Sequence, residues 1–178
     1  MPRFIDVEVC IDTVTLLTNY PNPSTDPNNP TGIDHTSYSY MIAQPAFVSS
    51  GQATGNLTLK ALVGDVIQWR MISLSGNSDQ AAVIYGVPQF GGSTVTGAVI
   101  GNVAQPYEPI ATLQANGENY NPPRYESVSQ FDYFLQANIT GHGSEQYKVC
   151  FYVTTPDPNT GKPVLKGYFN WDPTITVP

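Results

Sequence analysis

The residues best equipped for chemistry lie in one loop. The stretch YPNPSTDPNNPTGIDH, Tyr20 to His35, carries Asp26, Asn28, Asn29 and Asp34 close together. Carboxylate and amide oxygens are the hard ligands that calcium gathers. An EF-hand does not fit, because Gly32 stands one place late relative to Asp26 and Ser37 occupies the position where that motif closes with Glu. The same composition also builds stacked turns. Asn and Asp side chains bond to nearby backbone N–H groups, and the four prolines resist strand pairing. The pattern favours the structural loop and keeps Asp26, Asn28, Asn29 and Asp34 as the candidate calcium ligands.

The remaining reactive residues are sparse. His35 and His142 are the two histidines, Cys10 and Cys150 the two cysteines. Zinc sites show close ligand pairs such as CxxC or HExxH, and neither is present. His35 beside Asp34 lacks a nucleophile signature: G-x-S-x-G is absent, and Gly141-His142-Gly143-Ser144 reads as a hairpin turn. No phosphate-cradling glycine loop occurs. No catalytic residue is therefore nominated. Cys10 falls on the outward phase of the first strand. Cys150 shares its phase with Lys148, Tyr152 and Thr154, so neither reads as a deep core position. With no export signal at the N-terminus, two free, non-catalytic thiols are expected.

Aromatic residues offer a second kind of site. The tail Tyr168-Phe169-Asn170-Trp171-Asp172 alternates rings with polar groups. An exposed ring beside a carboxylate can stack on a sugar and bind its hydroxyls, which makes Tyr168, Trp171 and Asp172 the candidate glycan-binding residues. The competing reading, which the pattern favours, is that these rings fill a core or a dimer interface. Trp69 reads as core, on one strand face with Ile67 and Met71.

The elements that must position these residues read as strands. The chain has 178 residues, 40% hydrophobic but only 12% charged, with 15 Gly and 16 Pro, a balance that favours strands and turns over helices. Net charge is −7 and no basic patch is visible, which argues against nucleic acid and anionic membranes as partners. Ile5 to Asp12 alternates strictly. Strands follow over Ser37–Gln44, Asn56–Leu62, Val66–Leu74, Gln80–Val87, Phe131–Ile139, Glu145–Thr155, Val164–Trp171 and Thr174–Val177, with weaker ones near Thr94–Ile100 and Ile110–Leu113. Gly101 to Arg124 reads as a second long excursion. The expected fold is all-β, an antiparallel sandwich or jelly roll in a single domain over 1–178, with at most one or two short helices. One of these is expected over Thr13–Asn19 with Asp12 as its cap.

Four stretches together carry a family resemblance: DVEVCIDT, YPNPSTDPNNPTGIDH, VGDVIQWRMISLSGN and GYFNWDP. In this order, from Ile5 to Trp171, they resemble the bacterial inclusion-body proteins known as PixA or AidA proteins. The resemblance implies a small, non-enzymatic cytoplasmic protein. Some members accumulate as crystalline inclusions, and others are under quorum-sensing control and linked to host interaction. It brings no catalytic residues. Methionine storage is not expected, since Met1, Met41 and Met71 are the only methionines. The functional expectation is a self-associating protein without a cofactor, most simply a homodimer joined through the tail aromatics. The alternative is a carbohydrate-binding module, assisted by calcium.

Overall fold

FIDVEVCI folds as its alternation demands. It forms β1 (Phe4–Ile11), with Ile5, Val7, Val9 and Ile11 buried and Asp6, Glu8 and Cys10 on the opposite face. Asp12 ends the strand and caps α1 (Thr13–Asn19), its carboxylate accepting the Thr15 N–H at 3.0 Å. Leu16 is the fully buried anchor of this short helix. The computed structural model describes residues 1–112 and 123–178, with His35 through its backbone alone.

The chain continues through β2 (Thr31–Gly32), the one-turn helix α2 (His35–Tyr38), β3 (Ser39–Ala43), β4 (Val48–Ser50), β5 (Thr58–Lys60), β6 (Val66–Ser73) and β7 (Ala81–Gly86). Then come β8 (Gln89–Gly92), β9 (Ile100–Ala104), β10 (Tyr107–Thr112), β11 (Arg124–Ser129), β12 (Asp132–Asn138) and β13 (Gly143–Tyr147). β14 (Val149–Pro156), β15 (Pro163–Trp171) and β16 (Thr174–Val177) complete it. The fold is all-β with two short helices, as expected. The excursion expected over Gly101–Arg124 is corrected in part: Ile100–Ala104 and Tyr107–Thr112 are strands, and Arg124 opens β11, while Leu113 and the rest of that stretch, 113–122, lie outside the described residues. Among the described residues no helix is long and apolar enough to cross a membrane.

Two compact units are distinguished, Met1–Gly101 with Phe134–Pro178, and Asn102–Tyr133. In the larger, one sheet begins β3-β1-β6-β12, a second runs β4-β5-β16-β13-β8 and a third β2-β15-β14-β7. The smaller unit holds the antiparallel pair β10–β11. The sheets are mixed rather than purely antiparallel: β1–β6, β2–β15 and β5–β16 are parallel pairs. Each joins strands far apart in sequence, the long connection that parallel pairing requires.

Two local readings are corrected. Glu145–Thr155 is not one strand. It breaks at Lys148, whose N–H donates to Pro88 O at 2.9 Å, so that β13 serves one sheet and β14 another. Tyr147, Val149, Phe151 and Val153 are all buried, so the inward phase runs on through the break, which is why periodicity hides it. Nor is Gly141-His142-Gly143 a hairpin turn, since β12 pairs with β6 while β13 pairs with β16 and β8.

The start of β1 is locked by an ion pair. Arg3 Nε donates to Asp65 Oδ1 at 2.9 Å, and Nη2 to Oδ2. Asp65 is buried and also accepts the Leu62 N–H at 2.7 Å. The Arg3 guanidinium holds the Asp65 carboxyl below its usual value of 3.8. A depressed folded pKa contributes stability that is complete above the unfolded value and is lost as pH falls through the folded one. Asp65→Asn should cost about 1–3 kcal/mol at neutral pH. In urea titrations the gap to wild type should stay constant above about pH 5 and close below it. A gap indifferent to pH would remove the ion pair from the account.

Candidate functional site

The proline-rich loop is sewn onto the edge of β15. Tyr168 N–H donates to Ser24 O at 2.8 Å, and Ile33 N–H to Asn170 O at 2.9 Å. Between them Thr31 and Gly32 pair in parallel with Phe169 and Asn170. The loop also braces itself: Ser24 N–H donates to Thr31 Oγ1 at 2.8 Å, and Asn28 N–H to Asp26 Oδ1 at 2.9 Å, an Asx turn. Asp34 caps α2, accepting the Thr36 N–H at 3.0 Å and the Thr36 hydroxyl at 2.8 Å. Asn28 and Asn29 are exposed. Each candidate calcium carboxylate thus accepts local hydrogen bonds. Among the described residues no group of three or more His, Cys, Asp and Glu side chains is placed to hold a metal ion. The His35 side chain lies outside the description.

The tail residues divide between two faces. Phe169 and Trp171 point into the core, where Phe151 stacks on Phe169 at 5.4 Å and meets Trp171 edge-on at 5.6 Å. Trp171 is 1% exposed and its indole N–H donates to Gly55 O at 2.8 Å, so this ring is closed to a sugar. Tyr168 lies on the outer face, half-buried, and Asp172 is exposed beyond the strand end. Tyr168, Trp171 and Asp172 do not converge.

What gathers around Tyr168 instead is a tyrosine cluster. Tyr152, its cross-strand partner on β14, lies 6.0 Å away, and Tyr85 on β7 reaches over to 5.5 Å, both edge-to-face. All three rings are half-buried. The Tyr85 hydroxyl donates to Pro27 O at 2.9 Å and so ties the loop to the sheet. Burial, then Cys150 and Tyr168, push the Tyr85 phenol up to about 12. The outward phase of QAAVIYGV and KVCFYV contained this signal, but the pairing β7-β14-β15 had to be known to assemble it.

Cys150 sits in this cluster. It has the outward phase expected of it, yet it is buried, which corrects the sequence reading. It pairs with Gly86 on β7, next to Tyr85, and the ring of Tyr85 spans to Tyr168 on the far side of β14. Burial pushes the Cys150 thiol up, against a smaller opposing pull from Lys148. Burial and then Glu8 push Cys10 up. Both are free cysteines, on strands of different sheets, and both are poor thiolates at neutral pH.

Glu145 was missed as a structural residue. Buried at 1% exposure, it accepts Val95 N–H at 2.7 Å and Thr96 N–H at 2.8 Å on one oxygen and the Thr96 hydroxyl at 2.5 Å on the other. It thereby replaces the ladder expected over Thr94–Ile100, where Thr96 makes only a single bridge, to Ile139. His142 is exposed, its Nδ1 2.5 Å from Pro178 O.

The loop crosses β15 so closely that only glycine fits beneath it. A Cβ on Gly167 would clash with Pro23 Cγ and lie 2.7 Å from Pro23 Cβ and 3.0 Å from Ser24 O. Gly167→Ala should therefore destabilise by about 1–3 kcal/mol. Lys166→Ala on the exposed neighbouring position should stay within about 0.5 kcal/mol. Equal urea midpoints for the two variants would show that the loop does not bear on β15.

The relatives of this chain agree with that architecture. The model of the PixA family, inclusion body proteins, matches residues 3–177. The crystal structure of an inclusion body protein (PixA) from Burkholderia cenocepacia J2315 is similar at a TM-score of 0.80 and 29% identity, covering 99% of this chain and 97% of that one. No curated protein matches. With the family model spanning nearly the whole length and the fold shared with a solved relative, the chain belongs to the PixA inclusion body protein family.

Proposed function

We propose that this protein is a non-enzymatic protein of the cytoplasm that works by associating with copies of itself. Exposed rings on a sparsely charged chain carry the reading. Tyr107, Tyr125 and Phe131 are 76%, 72% and 77% exposed, while only 12% of the chain is charged. Large exposed aromatics are the residues interfaces prefer, and few charges oppose close approach. The tail is no longer the favoured interface, because Phe169 and Trp171 are spent on the core. The family's description as inclusion body proteins supports the same reading.

Self-association should strengthen toward the sequence pI of about 4.5, where the net charge of −7 at pH 7 has been neutralised. Sedimentation at tens of micromolar should show dimers or larger species at pH 7, and more of them at pH 5.5. A monomer at both values would sink the proposal.

One observation favours a second reading, carbohydrate binding. Tyr85, Tyr152 and Tyr168 present half-buried rings beside the Asp26 turn, a platform on which a sugar can stack. On this reading a glycan array gives signals that Tyr168→Ala abolishes. If calcium assists, chelator weakens them and added calcium raises the melting temperature by mass action. An array silent with and without calcium would end it.

A further inference from the structure

We infer that the outward face of the β10–β11 ribbon carrying Tyr107 and Tyr125 is a self-complementary surface whose partner is the same face of a second copy. The inference rests on the self-association proposed above and names its site. β10 and β11 form a sheet of two strands, and a two-stranded ladder alone is marginally stable in water. Here both of its faces are largely exposed.

The register sorts the side chains. Tyr107 pairs with Ser129, Pro109 with Ser127 and Ala111 with Tyr125, so these six share one face. The other face carries Glu108, Ile110, Thr112, Arg124, Glu126 and Val128. The first face bears no charge, and the second bears three charged groups. A surface that must meet its own copy is favoured by neutrality, since like charges brought opposite each other repel.

Shape points the same way. The two large rings stand at diagonal corners, Tyr107 on β10 and Tyr125 on β11, about 14 Å apart along the ribbon. At the other two corners stand small residues, Ser129 and Ala111. A two-fold rotation that lays this face on its copy, about an axis along the strands or across them, sets each Tyr over a Ser129 or Ala111. Rings then fill the places where the partner is low, as an isologous interface demands. Edge-to-edge pairing is disfavoured on the β10 side, because Pro109 has no N–H to donate. Of the two faces, only one is uncharged.

The test uses the full chain and two variants from opposite sides of the fit. Tyr107→Ser with Tyr125→Ser removes the rings, and Ala111→Trp fills a low corner. All three positions are exposed, so folding is checked by an unchanged urea midpoint. Interface rings of this kind are worth at least about tenfold each in affinity. Sedimentation should show a dimer dissociation constant raised at least about a hundredfold in the double variant and at least about tenfold in Ala111→Trp. Association unchanged in both folded variants would overturn the inference while leaving self-association standing. A monomeric wild type would overturn both.

Discussion

The larger unit depends on β15 being held along both edges while its inner face is buried. Phe169 and Trp171 supply the inner face, packed on Phe151 from β14. Burying such rings is among the largest favourable terms a strand can offer, and truncating one to Ala typically costs about 3–5 kcal/mol. The strand period then sends Tyr168 and Asn170 outward. Burial of the odd-numbered rings and the outward turn of the even-numbered groups are one event, not two. A sugar-binding site drawing on both Tyr168 and Trp171 is excluded by that alternation.

An edge left open on such a strand would invite further pairing. The loop from Tyr20 to Asp34 closes it. It contributes a carbonyl from Ser24, two residues of parallel strand and a donated N–H from Ile33, then leaves into α2. Its prolines limit the N–H groups it can offer to another chain, and its aspartates take up N–H groups that the turns would otherwise leave bare. Glu145 and Asp65 do the same work elsewhere. Each puts a buried carboxylate where strand pairing stops and satisfies the backbone N–H groups of the adjoining segment. In a chain so poor in charge, its buried carboxylates act as structural acceptors.

Local features were legible in the sequence, and assembled ones were not. The inward set of β1, the helix Thr13–Asn19 with its Asp12 cap and the core position of Trp69 follow from short-range rules, and the structure has them. The parallel pairing of β1 with β6 could not be read, because period-two alternation is silent about which strand lies alongside. Lys148 hides a change of sheet for the same reason. Cys150 has the phase of an exposed residue and is buried, on a central strand flanked by Gly86 of β7 and Asn170 of β15. The tyrosine cluster likewise draws one ring from each of three strands. At the candidate site, the turn-forming character of Asp26 and Asp34 was readable from composition, and their attachment to β15 was not.

Amide hydrogen exchange on the intact protein tests the central claim most directly. If the loop closes the β15 edge, the amides of Tyr168 and Ile33, bonded to Ser24 O and Asn170 O, should be protected to the same degree as the amides of β14. Exchange of Tyr168 and Ile33 as fast as in exposed turns, with β14 still protected, would show that the loop lies off the edge and would contradict the account.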